Sequence, residues 1–305
     1  MTARTGETDM RKRLLISFSG GETSALMAKL VMDNMTGDYN EIRTVFANTG
    51  QENEETLEFV DRCDKEFGLN VVWIEAVTPP ERGVGARCKV VTFETASRDG
   101  EPFENMIAKH GIPNTKWPHC TRELKARPIT RWARENGWLP GSYDLAIGIR
   151  IDEIDRMAED ARTRNIIYPL ISKFPRTKPQ VNEFWARQPF RLNLKGYQGN
   201  CKWCWKKSLR KHLTILNETP GAYDFPERME QLYPLAGSNP NGEPRVFFRE
   251  GRSTSDLRAL AASTRFSPAS DDARQYQIDL LEFLDADLDA CGSESCEVIF
   301  EGIAA

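Results

Sequence analysis

The feature that most constrains this chain is the order of its first eighty residues. A short apolar run, Leu14 to Phe18, ends in Ser19-Gly20-Gly21-Glu22-Thr23-Ser24. Behind that hexapeptide, Ala25, Leu26, Leu30 and Val31 recur with a period of roughly 3.6 residues, which predicts a helix. Ile42–Asn48 is β-branched and aromatic and reads as a buried strand. Asn53 to Phe67 reads as a helix with Leu57, Val60 and Phe67 on one face. Asn53 is placed to cap it, and Glu54 and Glu55 suit its first turn. Asn70–Ala76 supplies a third strand. Strand, helix, strand, helix, strand predicts an α/β fold: a doubly wound parallel sheet with helices on both faces.

Further along, Pro79 and Pro80 break the pattern. Thr121–Asn136 reads as a basic helix interrupted by Pro128. Tyr143–Ile149 and Asn165–Ile171 read as strands. The next helix has Thr177 as its cap and Pro179 in its first turn. After Gly199 the chain turns basic, aromatic and cysteine-bearing, then reads as short helices and loops to about residue 285. A length of 305 residues suits one large domain or two modest ones. The division expected lies near 190: residues 1–190 as a nucleotide-type α/β domain, and 191–305 as a smaller helical, cysteine-bearing region.

Charge and hydropathy exclude some classes. Lys and Arg number 41 against 45 Asp and Glu, a net charge of −4, so a uniformly basic nucleic-acid coat is ruled out while a local basic patch is not. No apolar run is long enough to span a membrane. The first residues show neither a signal-length apolar stretch nor a small-residue cleavage site. The expected place is the cytoplasm, with cysteines reduced. The seven cysteines are then expected as metal ligands, catalytic thiols or core residues rather than disulfides.

The hexapeptide is suited to phosphate. Gly20 and Gly21 let backbone approach an anion, and the helix amino end offers amides and a positive dipole. Ser19, Thr23 and Ser24 add hydroxyls. It is neither a Walker loop nor the dinucleotide fingerprint. It resembles instead the SGGxDS loop of the N-type ATP pyrophosphatases, the PP-loop enzymes, with Thr23 where that pattern usually has Asp. Val45–Val60 is similar to the second strand, Asn48-Thr49-Gly50 turn and acidic helix of their phosphoadenosine phosphosulfate reductase-like branch. Trp117–Pro128 resembles its Cys-Thr-x-x-Leu-Lys-x-x-Pro segment, Gly148–Arg156 its Gly-Ile-Arg-x-Asp-Glu segment, and Tyr168-Pro169-Leu170 its Tyr-Pro-Leu. Phage-encoded and DNA-phosphorothioation proteins belong to the same branch.

The resemblance implies ATP with its pyrophosphate in the loop, attack of a substrate oxygen on the α-phosphorus, and later displacement of AMP by sulfur. Arg122, Lys125 and Arg150 are the candidate cations for the transferring phosphoryl group. Asp152 and Glu153 are candidates for holding Mg2+ through water. Asn48, Thr49 and Gly50 stand at a strand's carboxyl end, where ligands of open sheets bind. The host cytoplasm is the expected place for a phage-encoded member, and a cysteine desulfurase is one candidate sulfur donor.

The cysteines divide by spacing. Cys201 and Cys204 form a CxxC, and Cys291 and Cys296 form a second close pair. Two such pairs suit four thiolates around zinc or an iron–sulfur cluster. The resemblance favours a 4Fe-4S cluster, with zinc as the alternative. Cys120 lies beside Arg122, Lys125 and Arg127, and cations favour the thiolate. It is expected either to carry the sulfur or to replace one tail cysteine as a ligand. Cys63 and Cys88 read as structural.

Between Lys195 and His212 stand six Lys and Arg with no Asp or Glu, and Tyr197, Trp203 and Trp205 are interleaved. Cations for phosphates and rings for bases fit DNA or RNA. Equally, the Trp rings could shield a cluster while the cations offset its charge. His110, His119 and His212 show no metal spacing.

The leading reading is an ATP pyrophosphatase that adenylates a substrate for sulfur transfer, with nucleic-acid thiolation as one form. The second is a sulfonucleotide reductase, although the tail Gly292–Phe300 lacks the Glu-Cys-Gly-Leu-His motif of the thioredoxin-dependent enzymes. The third is a non-enzymatic nucleotide- and cluster-binding interaction protein.

Overall fold

The structure is a computed structural model that describes residues 13–81, 83–239 and 242–273. Its centre is a six-stranded sheet in the order β4-β3-β2-β1-β5-β6. The strands are β1 (Arg13–Phe18), β2 (Ile42–Asn48), β3 (Val71–Val77), β4 (Arg87–Val91), β5 (Tyr143–Ile147) and β6 (Ile166–Ile167). All neighbours run parallel except β4, which pairs antiparallel with β3. The chain moves from β1 outward to β3 on one side, then returns to place β5 on the other side of β1. That reversal creates a crevice at the carboxyl ends of β1 and β5.

Helices cover both faces. Those before β6 are α1 (Glu22–Asn34), α2 (Glu54–Phe67), α3 (Glu101–His110) and α4 (Arg127–Glu135). After it come α5 (Pro169–Ser172), α6 (Lys178–Ala186), α7 (Leu209–Glu218), α8 (Asp224–Leu232) and α9 (Thr254–Ser263). Alternation along each strand feeds two cores. Leu14, Ile16, Phe18 and Phe46 pack with α1, α2 and α6, while Leu15, Val45 and Ile74 pack with Ile129, Trp132 and Ala133 of α4. Full burial on both faces explains why these strands are nearly all apolar. A third core joins Phe103, Met106 and Leu124 to Trp203, Phe225 and Phe247 of the chain beyond residue 190.

Several local expectations meet corrections. The sheet is not wholly parallel, because the edge strand β4 is added antiparallel. The expected strand Asn165–Ile171 is paired only at Ile166 and Ile167, since Pro169 cannot donate to a ladder and instead opens α5. The strand expected to reach Ile149 stops at Ile147. A Cβ on Gly148 would lie 2.9 Å from Ser24 Cα, so the turn that follows the strand closes directly on the first turn of α1. Pro128 does not end its helix. The chain is helical from Cys120 and widens into a π turn at Arg122–Ala126 just before Pro128 enters the first turn of α4. Asn53 stands at the N-cap of α2, but its side chain donates to the Gly199 carbonyl instead of capping. Thr177 does cap α6, in a reciprocal box with Gln180. Among the described residues no helix is long and apolar enough to cross a membrane.

Candidate functional site

The Ser19–Ser24 loop joins β1 to α1 at the crevice. Gly20 has φ +86°, and a Cβ there would fall 2.7 Å from Thr56 Cγ2 and 3.0 Å from Phe46 Cε2. Only glycine meets both demands. Ser24 holds the loop from inside: its hydroxyl donates to the Gly21 carbonyl at 3.0 Å and accepts from the Ser19 amide at 3.2 Å. The Ser19 and Ser24 hydroxyl oxygens are 2.8 Å apart. Two of the three hydroxyls expected to face a phosphate thus also shape the loop.

Thr23 is tied across the crevice. Arg150, in the turn after β5, donates through Nη1 to Thr23 Oγ1 at 3.0 Å. Arg150 is only 6% exposed, and its Nε donates to Asp152 Oδ1 at 3.0 Å. Asp152 also accepts the Lys178 amide, and Glu153 accepts the Arg150 amide and pairs with Arg156. Both carboxylates are therefore engaged by protein donors. Among the described residues, no group of three or more His, Cys, Asp or Glu is arranged to hold a metal ion.

Glu22 and Arg191 were not legible as site residues. Arg191 grips the buried Glu22 carboxylate in a fork, with Nε on Oε1 at 3.0 Å and Nη2 on Oε2 at 2.9 Å. Trp185 Nε1 donates to the Glu22 carbonyl, and Asn200 Nδ2 to the Ser19 carbonyl. These contacts join the loop to residues some 160 to 180 positions later, and no local pattern announces them.

The second turn lies beside the first. Asn48 is fully buried, donating to Glu75 Oε1 and the Ser97 carbonyl and accepting the Gly50 amide. It shapes the turn from beneath. Thr49 donates its amide and hydroxyl to Glu52, each at 2.9 Å. Glu52 also pairs with Lys125 at 3.6 Å, both side chains being buried. The Glu52 backbone pairs antiparallel with that of Cys201, and Trp203 Nε1 donates to Gln51 Oε1 at 2.7 Å. The CxxC is thereby held against the Asn48–Gly50 turn.

Cys120, Cys201 and Cys204 line one cavity with Thr49, Glu52 and Lys125. Its volume is about 30 Å3. Cys291 and Cys296, the other expected ligands, lie outside the described residues. The cations around Cys120 are not unopposed, since Arg122 and Arg127 both hold the buried Glu123 while Lys125 meets Glu52. Glu123 lies four residues before Arg127, a helical spacing that could have revealed it. Cys63 is a core residue, and burial raises its thiol well above the ordinary range. Burial, then Glu135, pushes the Cys88 thiol up to about 12.

The basic, aromatic stretch changes meaning in three dimensions. Tyr197, Trp203 and Trp205 are core residues rather than exposed platforms for bases. Lys207 donates to the Cys201 carbonyl at 2.5 Å, and Lys195 pairs with Glu218 at 2.8 Å. Burial lowers the His119 pKa to about 4 and keeps His212 far below its ordinary value.

Known proteins resemble this chain in part. Residues 13–87 match the phosphoadenosine phosphosulfate reductase domain. An uncharacterised nin-region protein of Escherichia phage lambda is 31% identical over 200 residues, covering 65% of this chain and 67% of that protein. An uncharacterised protein of Methanocaldococcus jannaschii is 24% identical over 127 residues, or 42% of this chain and 21% of that protein. A crystal structure of phosphoadenylyl-sulfate (PAPS) reductase from Candida auris, in a phosphate complex, shares 16% identity over 59% of this chain and 74% of its own, with a TM-score of 0.34. The domain match covers β1 to β3 with the Ser19–Ser24 loop and the Asn48–Gly50 turn, and the chain belongs to the phosphoadenosine phosphosulfate reductase-like family.

Proposed function

We propose that this protein is an adenine-nucleotide-dependent enzyme that adenylates a substrate for sulfur transfer. The observation that carries this reading is the Arg150–Thr23 contact, which sets a buried guanidinium over the glycine loop at the point where strand order reverses. In this reading the loop amides and the amino end of α1 hold the β- and γ-phosphates of ATP. Arg150 and Lys125 offset charge on the α-phosphoryl group, with Arg122 as a more exposed third cation. A substrate oxygen bonds to the α-phosphorus as the bond to the pyrophosphate oxygen breaks. A sulfur nucleophile then takes the activated carbon and AMP leaves with the oxygen. Magnesium, when bound, would supply further charge neutralisation to the phosphates.

Cys120 is assigned as the sulfur-bearing thiol because it shares a cavity with Lys125 and the CxxC. Cys201 and Cys204, with Cys291 and Cys296, are assigned as ligands of a 4Fe-4S cluster, with zinc as the alternative. The described residues do not by themselves form that centre. A cysteine desulfurase fits as the sulfur donor, and DNA or RNA as an acceptor. The domain match supports a second reading, reduction of a sulfonucleotide.

The deciding experiment incubates oxygen-free protein with ATP and candidate DNA, RNA and nucleotide acceptors and measures pyrophosphate. Acceptor-dependent pyrophosphate release supports adenylation. Sulfite release from a sulfonucleotide, without pyrophosphate from ATP, would instead establish the reductase reading.

A further inference from the structure

Glu22 stands where a carboxylate works against phosphate. It is the first residue of α1, directly behind Gly20 and Gly21, and it is buried. The first amides of a helix have no partner within it, and Gly21 at the N-cap brings no side chain to them. That end of α1 attracts anions. A carboxylate in the same turn draws on the positive end that a phosphate would use, and it also repels the phosphate directly.

Residues 191 and 192 take up this charge. Arg191 binds both oxygens of the Glu22 carboxylate through Nε and Nη2, and the Leu192 amide donates to Oε1 at 3.2 Å. Arg191 is itself fixed, because Nη2 also donates to the Ala273 carbonyl at 2.7 Å. Of these acceptors only Glu22 is charged, so it is the group that matches the guanidinium. Both side chains are largely buried, which leaves the pair weakly screened by salt. Gly21 and Glu22 line one small space with Leu192 and Asn200, and Asn200 also holds the Ser19 carbonyl. The pair therefore borders the loop itself.

We propose that Arg191 is a positioning residue for the phosphate loop: by holding the Glu22 carboxylate it removes a negative charge that would oppose the phosphates. It acts through Glu22 and touches no reacting atom. The inference rests on the reading that the loop holds the β- and γ-phosphates of ATP. It adds that the loop carries its own anion, and that a cation 169 positions later decides whether that anion competes.

Charge and bracing predict different patterns. A bond that only braced the loop would be broken by changing either partner, and both changes would weaken binding. Where charge matters, the two single changes have opposite signs. Arg191→Gln leaves the carboxylate without this cation, and Glu22→Gln leaves the guanidinium without this anion.

The test uses the full chain and calorimetric titration with ATP, inorganic pyrophosphate and AMP. Arg191→Gln is expected to weaken ATP and pyrophosphate binding roughly tenfold, the scale of one partly buried charge interaction. Glu22→Gln is expected to tighten both several-fold. The double variant, neutral at both positions, should return to within about threefold of the unaltered protein. Arg191→Lys keeps the charge without the fork and should recover most of the ATP affinity. AMP, which lacks the β- and γ-phosphates, should change little throughout. Equal losses in both single variants, or an AMP affinity that falls with that of ATP, would show a structural brace and overturn the proposal. Unchanged ATP affinity in folded Arg191→Gln protein overturns it as well. If Arg191→Gln does not fold, unchanged or weaker ATP binding by Glu22→Gln overturns it instead. Failure of the unaltered protein to bind either ATP or pyrophosphate would remove the nucleotide reading itself, an outcome distinct from ATP binding that ignores both substitutions.

Discussion

Arg150 donates through Nη1 to the Thr23 hydroxyl at 3.0 Å, joining the turn after β5 to the first turn of α1 across the crevice. The neutral hydroxyl stands where related loops usually carry Asp. It accepts from the guanidinium without cancelling its charge. Thr23→Val removes the acceptor and keeps the shape. It should cost about 1.5–3 kcal/mol of stability, as for hydrogen bonds to charged groups, and weaken ATP binding. Urea denaturation and calorimetry measure the two effects, and an unchanged ATP affinity would count against the loop as the phosphate site.

Gly20→Ala should be among the most damaging small substitutions in the chain. Its φ of +86° and the 2.7 Å approach to Thr56 Cγ2 act together. A left-handed L-residue costs roughly 1–2 kcal/mol and overpacking another 1–3. Gly37→Ala, where an added Cβ meets nothing within 4 Å, is the matched control and should leave the melting temperature nearly unchanged.

Lys125→Met leaves the Glu52 carboxylate buried without its cation. Breaking such a pair costs about 3–5 kcal/mol, and the lower end is expected because Thr49 still donates twice to Glu52. The double variant Lys125→Met with Glu52→Gln should recover part of that loss in urea denaturation. Equal destabilisation in single and double variants would mean that the pair is not what holds this corner together.

Cys120→Ser should keep iron and nucleotide binding yet lose sulfur transfer, because a hydroxyl is a far weaker nucleophile than a thiol at neutral pH. Iron content, pyrophosphate release and incorporation of sulfur into the acceptor are read on one oxygen-free preparation, and only the last should be lost. Loss of iron would make Cys120 a ligand and release one of the tail cysteines from that role.

Acid should destabilise the fold through His119. Burial lowers its pKa from 6.5 to about 4, and its Nε2 meets the Gly111 carbonyl at 3.0 Å. The unfolded chain therefore takes up the proton first. The His119 contribution is complete above pH 6.5 and is lost as pH falls from there towards about 4, at about 1.4 kcal/mol per unit once well inside that window. His119→Gln should flatten the stability profile in this range, measured as urea midpoints from pH 7 to about 4.5. A profile as steep in the variant would assign the slope to His110 or His212, whose pKa values burial also lowers.

Much of the scaffold was legible because its signals are local. Apolar runs defined β1, β2 and β3 within a residue of their ends, and Thr177 with Gln180 announced the start of α6. β4 escaped notice because Arg87–Val91 is an edge strand with exposed residues and no apolar alternation. The Tyr197, Trp203 and Trp205 rings read equally as a surface or a core, since a ring's burial depends on what folds against it. For Trp203 that is Phe225 on the neighbouring stretch and Phe103, a hundred residues earlier.

The sequence by itself determined the strand–loop–helix unit, the glycines that let the loop turn, and which cations and thiols were candidates. Those properties arise from periodicity, backbone sterics and residue chemistry within a few positions. Only the tertiary structure decided which charges face one another: Arg191 on Glu22, Lys125 on Glu52 and Arg150 on Thr23. It also brought Cys120 to the cavity of Cys201 and Cys204 and turned the tryptophans inward. The reason is that electrostatic and thiol chemistry depend on distance through space, and residues some seventy to a hundred and seventy positions apart meet only when the sheet and its helices have folded.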